Sequence, residues 1–130
     1  GLDVEERGLI DLARVTAGRA YAPYSGIRVG AALEAEDGRV FTGCNVENAS
    51  YGLTVCAERA AVFAAVASGA RAFRRMAIYS SAREVLYPCG ACLQVMSEFC
   101  RELDIILAGG EKGPLRLKLT SLLPHPTRLP

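Results

Sequence analysis

The pattern that most restricts this chain is Cys56-Ala57-Glu58 followed, further along, by Pro88-Cys89-Gly90-Ala91-Cys92. For the sulfurs to share one metal ion, the two segments must be brought together by the fold. Three thiolates suit a tetrahedral zinc whose fourth position stays open, as in catalytic sites, whereas structural zinc closes with four protein ligands. Glu58 is no ligand in this arrangement but a carboxylate two residues from the first thiolate. Cys56 falls at the start of one predicted helix, and Cys89 and Cys92 in the first turn of another, where i, i+3 spacing puts them on one face. Helix N-termini carry partial positive charge, which favours the thiolate that a metal needs. Two other readings stay open on spacing alone: inert apolar cysteines, or a Cys89–Cys92 redox dithiol. Cys44 and Cys100 have no partner at metal spacing and are expected in the core.

The rest of the chain reads as an alternation of helices and strands. Residues 3–19 form an amphipathic helix with Glu5 and Glu6 at its positive end. Residues 27–35 and 40–45 are strands joined by a turn at Glu36-Asp37-Gly38-Arg39. An alanine-rich helix over 56–68 ends at Gly69 and is apolar on most sides, so burial against a sheet is expected. Strands over 76–80, 105–108 and 115–119 and a helix over 89–99 complete the pattern, which argues for an α/β sandwich. With 130 residues and 51% hydrophobic content, residues 1–130 are expected to form one domain with a real core.

Composition excludes several classes. A net charge of +1 argues against a nucleic-acid partner, and Arg71, Arg74 and Arg75, the one tight basic cluster, read as a solvated helix end or loop. The single histidine, His125, is held between two prolines far from every acid or nucleophile cluster, so Ser-His-Asp and Cys-His mechanisms have no base. No leader-like or membrane-spanning run is seen, and five cysteines with three assigned to a metal suit a reduced, cytoplasmic protein.

The motifs together resemble the small, homotetrameric, zinc-dependent cytidine deaminases. The resemblance runs in family order from about Glu5 to Pro124: Tyr24 to Leu33, Gly43-Cys44-Asn45-Val46-Glu47-Asn48 through Thr54, Cys56-Ala57-Glu58-Arg59, Pro88 to Cys92, and Leu122-Leu123-Pro124. It implies a three-layer α/β/α sandwich with a mixed five-stranded sheet. It also implies a homotetramer with shared active sites, and pyrimidine salvage as the setting. By this resemblance Zn²⁺ is held by Cys56, Cys89 and Cys92, Arg59 donates to the thiolates, and the substrate is a cytosine nucleoside. Asn45 and Glu47 hold the ribose hydroxyl, the Ala57 N–H binds the base carbonyl, Ile27 stands where the base is stacked, and Tyr51 reaches a neighbouring subunit's site. A zinc-bound hydroxide attacks C4 while Glu58 shuttles protons from the water to ring N3 and then to the departing ammonia.

Four positions depart from the family pattern. Ile27 replaces a phenylalanine, Leu93 an arginine, and Tyr87 a serine, while the end of the chain from Pro124 to Pro130 lacks an aromatic. These leave the zinc ligands and Glu58 untouched but open an alternative, an aminohydrolase for a modified cytosine nucleoside, nucleoside antibiotic or other aminated heterocycle. A reading of another class, a non-catalytic zinc-stabilised binding module, would need a closed fourth ligand or a displaced acid, and Glu58 with three motif cysteines speaks against it.

Overall fold

A computed structural model describes residues 2–111 and 113–130. Its first helix, α1 (Val4–Ala17), opens with a capping box. The Asp3 carboxylate accepts from the Glu6 N–H at 2.8 Å, and Glu6 Oε1 accepts from the Asp3 N–H at 3.1 Å, satisfying two donors that the helix leaves unpaired. Five strands follow: β1 (Val29–Ala35), β2 (Val40–Cys44), β3 (Phe73–Ser80), β4 (Asp104–Gly109) and β5 (Leu115–Lys118). They form one sheet in the order β2-β1-β3-β4-β5, with β3 and β4 parallel and the other pairs antiparallel. The β1–β2 turn sits where expected, and Gly38 takes the positive φ of 91° that it requires.

Period-two alternation decides the layers. Ala31, Leu33, Met76, Ile78, Ile105 and Leu107 point to one face, under α2 (Ala57–Ala67), α3 (Gly90–Ser97) and the short α4 (Leu119–Leu122). Ala32, Ala77 and Ile106 point to the other, against Leu9 and Ala13 of α1. The result is the expected three-layer α/β/α sandwich. Helix α2 lies so close to β2 that a Cβ on Gly43 would stand 2.5 Å from the Ala61 nitrogen and 2.6 Å from the Ala57 oxygen. A side chain at Gly43 would therefore lever away the helix that carries Glu58.

Several expectations are corrected. Strand β3 begins at Phe73, not at residue 76, because Arg74 and Arg75 lie in the strand. They are no solvated loop cluster: Arg75 pairs with Glu34 at 2.7 Å and with Glu5 at 2.5 Å, and Arg74 lies near Glu34 and Glu36. Arg71 instead donates to the Val66 and Ala70 carbonyls at the end of α2. Leu119 opens α4 rather than closing β5. Helix α2 is buried against the sheet as expected, through Ala57, Ala61, Val62 and Ala65, and its outer face leaves Phe63 52% exposed. Cys44 and Cys100 are half-buried at the margin of the core rather than inside it.

Glu6 yields a test of the fold by pH. It is buried and bound in a fork by Arg116, Nε to Oε2 at 2.8 Å and Nη2 to Oε1 at 2.6 Å, which ties α1 to β5. The Arg116 bonds, helped by the Asp3 N–H, hold its carboxyl below the ordinary 4.5. A carboxyl lowered in the folded state contributes stability that is full above its unfolded value and is lost as pH falls through the folded one. Glu6→Gln is expected to lower Tm at neutral pH and to flatten the loss of stability below about pH 4.5, as read by thermal melts across pH. Parallel curves for the two proteins below that pH would refute it.

Candidate active site

The two helix starts on the sheet's α2/α3 side build the site. Cys56 is the N-cap of α2 and Cys89 the N-cap of α3, with Cys92 in the first turn of α3. The Cys56 and Cys89 sulfurs are 3.9 Å apart, the Cys89 and Cys92 sulfurs 3.3 Å, and all three lie within 4.8 Å of one another. Sulfurs at 2.3 Å from one tetrahedral zinc would be about 3.8 Å apart, so the donor set fits that ion. All five cysteines are unpaired.

Charge is arranged around the sulfurs. The Cys92 thiol's hydrogen bond, supported by Arg59 and Cys89, draws the Cys56 thiol down to about 5. Its bond to Cys56, together with burial, drives the Cys92 thiol up, so the pair retains a proton on Cys92. Arg59 Nη2 donates to the Cys56 sulfur and to the Thr54 carbonyl, both at 3.5 Å. Its Nε is buried without a hydrogen-bond partner among the described residues. The arginine thus stands where a cluster of thiolates needs compensation.

Glu58 is 6% exposed and its carboxyl is pushed up to about 7, chiefly by burial, with the Cys56 thiolate adding to it. It lies on the wall of a cavity of about 250 Å³ together with Cys56, Ala57 and Cys89. As the first residue of α2, Ala57 has an N–H for which the helix provides no acceptor. A carboxyl that exchanges its proton near neutrality, beside three convergent sulfurs in a small cleft, equips the site for metal-assisted hydrolysis with proton transfer.

Comparison with known proteins places this geometry. A family model for the cytidine and deoxycytidylate deaminase zinc-binding region matches residues 4–107. The cytidine deaminase of Sporosarcina psychrophila is 48% identical over 124 residues, covering 95% of this chain and 90% of that protein. The crystal structure of cytidine deaminase from Burkholderia pseudomallei superposes with a TM-score of 0.88 at 44% identity, covering 93% of this chain and 98% of the other. That from Mycobacterium tuberculosis gives 0.83 at 44% identity, covering 98% and 100%. The chain belongs to the cytidine deaminase family. The zinc-binding deaminase domain of that family accounts for the Cys56, Cys89 and Cys92 cluster.

Within this cytidine deaminase fold the remaining expected residues fall into two groups. Asn45 and Glu47 line the cavity but are also engaged with the preceding segment. Asn45 accepts from the Val29 N–H at 2.8 Å and donates to the Ile27 carbonyl at 2.9 Å. Glu47 accepts from the Tyr24 and Ser25 N–H groups at 2.9 and 3.1 Å and from Ser25 Oγ at 2.5 Å, and these bonds hold its carboxyl below the usual range. The Ile27 side chain does not appear on the cavity wall, where Val29 stands instead. Tyr51 is 77% exposed on a 3₁₀ turn (Tyr51–Leu53), edge-on to Tyr24 at 6.2 Å. Leu93 is buried and offers the sulfurs no donor, while Tyr87 lies on the cavity rim. Sequence reasoning did not find Ile78 and Ser80, which close the cavity from the C-terminal end of β3, or Leu86 beside Tyr87. The usable signal was the end of a strand with a parallel neighbour, a common place for ligand sites.

Proposed function

We propose that this chain, acting as one catalytic domain over residues 1–130, hydrolyses cytidine and deoxycytidine to uridine and deoxyuridine with release of ammonia. The observation that carries the reading is Glu58, buried in one small cleft with three convergent thiols and titrating near neutrality.

Cys56, Cys89 and Cys92 would hold the zinc. When bound, zinc supplies Lewis acidity and acidifies water toward neutrality. Glu58 takes one proton of the attacking water and places it on ring N3 so that C4 becomes electrophilic, then takes the second from the hydroxyl formed at C4 and delivers it to the departing amine as the carbonyl forms. Arg59 offsets the charge of the thiolates, keeping the centre electrophilic. The Ala57 N–H faces the base carbonyl. Asn45 and Glu47 bind the sugar hydroxyl while their bonds to residues 24–29 hold that segment over the cleft. The half-buried Ile27 flanks the base indirectly, through its carbonyl's bond to Asn45.

The exposed Tyr51 and Leu53, and Phe63 on the outer face of α2, support a homotetramer in which Tyr51 completes a neighbour's site. Five unpaired thiols suit a reducing cytoplasm, and the reaction suits pyrimidine salvage. Among the described residues no helix is long and apolar enough to cross a membrane.

A second reading, a cytosine nucleoside with a modified base, is favoured by one observation: Val29 and Tyr87, rather than Ile27, stand on the cavity wall. Ammonia release from cytidine, deoxycytidine and modified cytosine nucleosides by the zinc-loaded protein tests both. Turnover of plain cytidine is expected; reaction with modified bases alone would transfer the assignment to the second reading. Silence across the panel with zinc bound would leave a zinc-stabilised binding module.

A further inference from the structure

Two cavities meet at Tyr87. The reaction cleft, of about 250 Å³, has Glu58 and Cys89 on its wall; a neighbouring cavity of about 380 Å³ is lined by Arg83, Glu84, Val85, Glu111 and Leu115 besides Tyr87. Among the described residues, Tyr87 is the one residue that lines both. Tyr87 is 57% exposed, so core packing does not lock it. Pro88 follows it and steers the Tyr87 backbone to extended conformations, which fixes where the side chain leaves the chain.

We infer that Tyr87 is a specificity-determining partition that sets the size of the amine able to leave. The inference rests on the proposed deamination, which requires C4 of the base to lie beside Glu58 and the three sulfurs. Asn45 and Glu47, given to the sugar by the proposed function, line the same cleft, and Tyr87 precedes Cys89 by two residues, which puts it beside the sulfurs where that function requires C4 to sit. A substituent on the exocyclic nitrogen therefore runs toward the Tyr87 ring, and beyond that ring is empty volume. With the ring in place the free amino group fits; with it removed, the two cavities join and an N4-alkyl group has room. The chemistry is unchanged: water adds its oxygen to C4, and one of its protons goes to N3 and stays there. The other passes from the C4 hydroxyl by way of Glu58 to the exocyclic nitrogen, and the C4–N bond breaks to release the alkylamine and leave a C4 carbonyl.

The test compares wild type, Tyr87→Phe and Tyr87→Ala on cytidine, N4-methylcytidine, N4-propylcytidine and 5-propylcytidine, following formation of the uridine product. Dissociation constants for the same ligands are measured calorimetrically in a Glu58→Gln background. Tyr87→Ala is expected to raise kcat/KM for N4-propylcytidine relative to cytidine by about tenfold, the low end of the discrimination one methylene carries, because the opened space is walled by Val85 and Leu115 but also by Arg83, Glu84 and Glu111. Its affinity for N4-propylcytidine should rise by a similar factor. Tyr87→Phe keeps the ring and should keep the wild-type ratios. Unmoved ratios in Tyr87→Ala, or a gain confined to 5-propylcytidine, would overturn the partition. If wild type with zinc bound leaves cytidine untouched, the deaminase reading fails by itself, and the dissociation constants still decide the partition.

Discussion

Glu58→Gln is expected to lower kcat for cytidine by about 10²- to 10⁴-fold while zinc content and Tm stay near wild type. Glutamine keeps the shape of the side chain, so the buried space at the start of α2 remains filled. What disappears is a group that can gain and lose a proton. Burial holds this carboxyl at about 7, where protonated and ionised forms coexist at neutral pH, and one group can act as base and then as acid. The amide can do neither, so the losses from several proton transfers fall on one substitution. The measurement is steady-state ammonia release beside metal analysis of the same sample. A variant with bound zinc that retains kcat within tenfold of wild type would remove Glu58 from the proton pathway.

The second large effect concerns the metal. Cys92 is fully buried and its sulfur is 3.3 Å from that of Cys89, so Cys92→Ser replaces a soft thiolate by a hard, weakly acidic hydroxyl within the ligand set. Zinc occupancy is expected to collapse and activity to fall to background. Because the metal binds the folded site and the ligands are far apart in the unfolded chain, its loss also removes stability. At a zinc concentration about 1,000 times the dissociation constant that contribution is about 4 kcal/mol, equivalent to a fall in Tm of about 10–20 °C for a chain of this size. Chelation of the wild type should reproduce both losses, and added zinc should restore them. A chelated protein with unchanged Tm and activity would exclude a zinc centre at these cysteines.

How far this site can be read from sequence depends on whether its partners are side chains or backbone. The three cysteines and Glu58 are legible because helix geometry converts their spacing into a common location, and the structure places them as that spacing requires. The sheet is legible where apolar alternation is clean, as in Ala31 to Ala35. It fails at Arg74 and Arg75, since two adjacent charges interrupt the pattern and their carboxylate partners lie on α1, on β1 and in the turn that follows it. The bonds from Asn45 and Glu47 to residues 24–29 have no sequence signature, because they end mostly on backbone atoms whose proximity arises from chain crossing. The displacement of Ile27 from the cavity wall is hidden for the same reason: position in a motif fixes neither rotation nor reach.

The sulfurs and the acid all stand within the first turns of two helices that are seated on the same face of one sheet. The rest of the cleft wall comes from Val29 of β1, from Ile78 and Ser80 of β3, and from connecting segments at Asn45, Glu47, Thr54, Leu86 and Tyr87. Much of the rim is thus under looser mechanical constraint than the helix starts that carry the sulfurs and Glu58. The sulfurs and Glu58 take their positions from α2 and α3, so a change at Ile27 or Tyr87, in the connecting segments, leaves those positions to the helices; Leu93, inside α3, is the departure that stands on the chemical side.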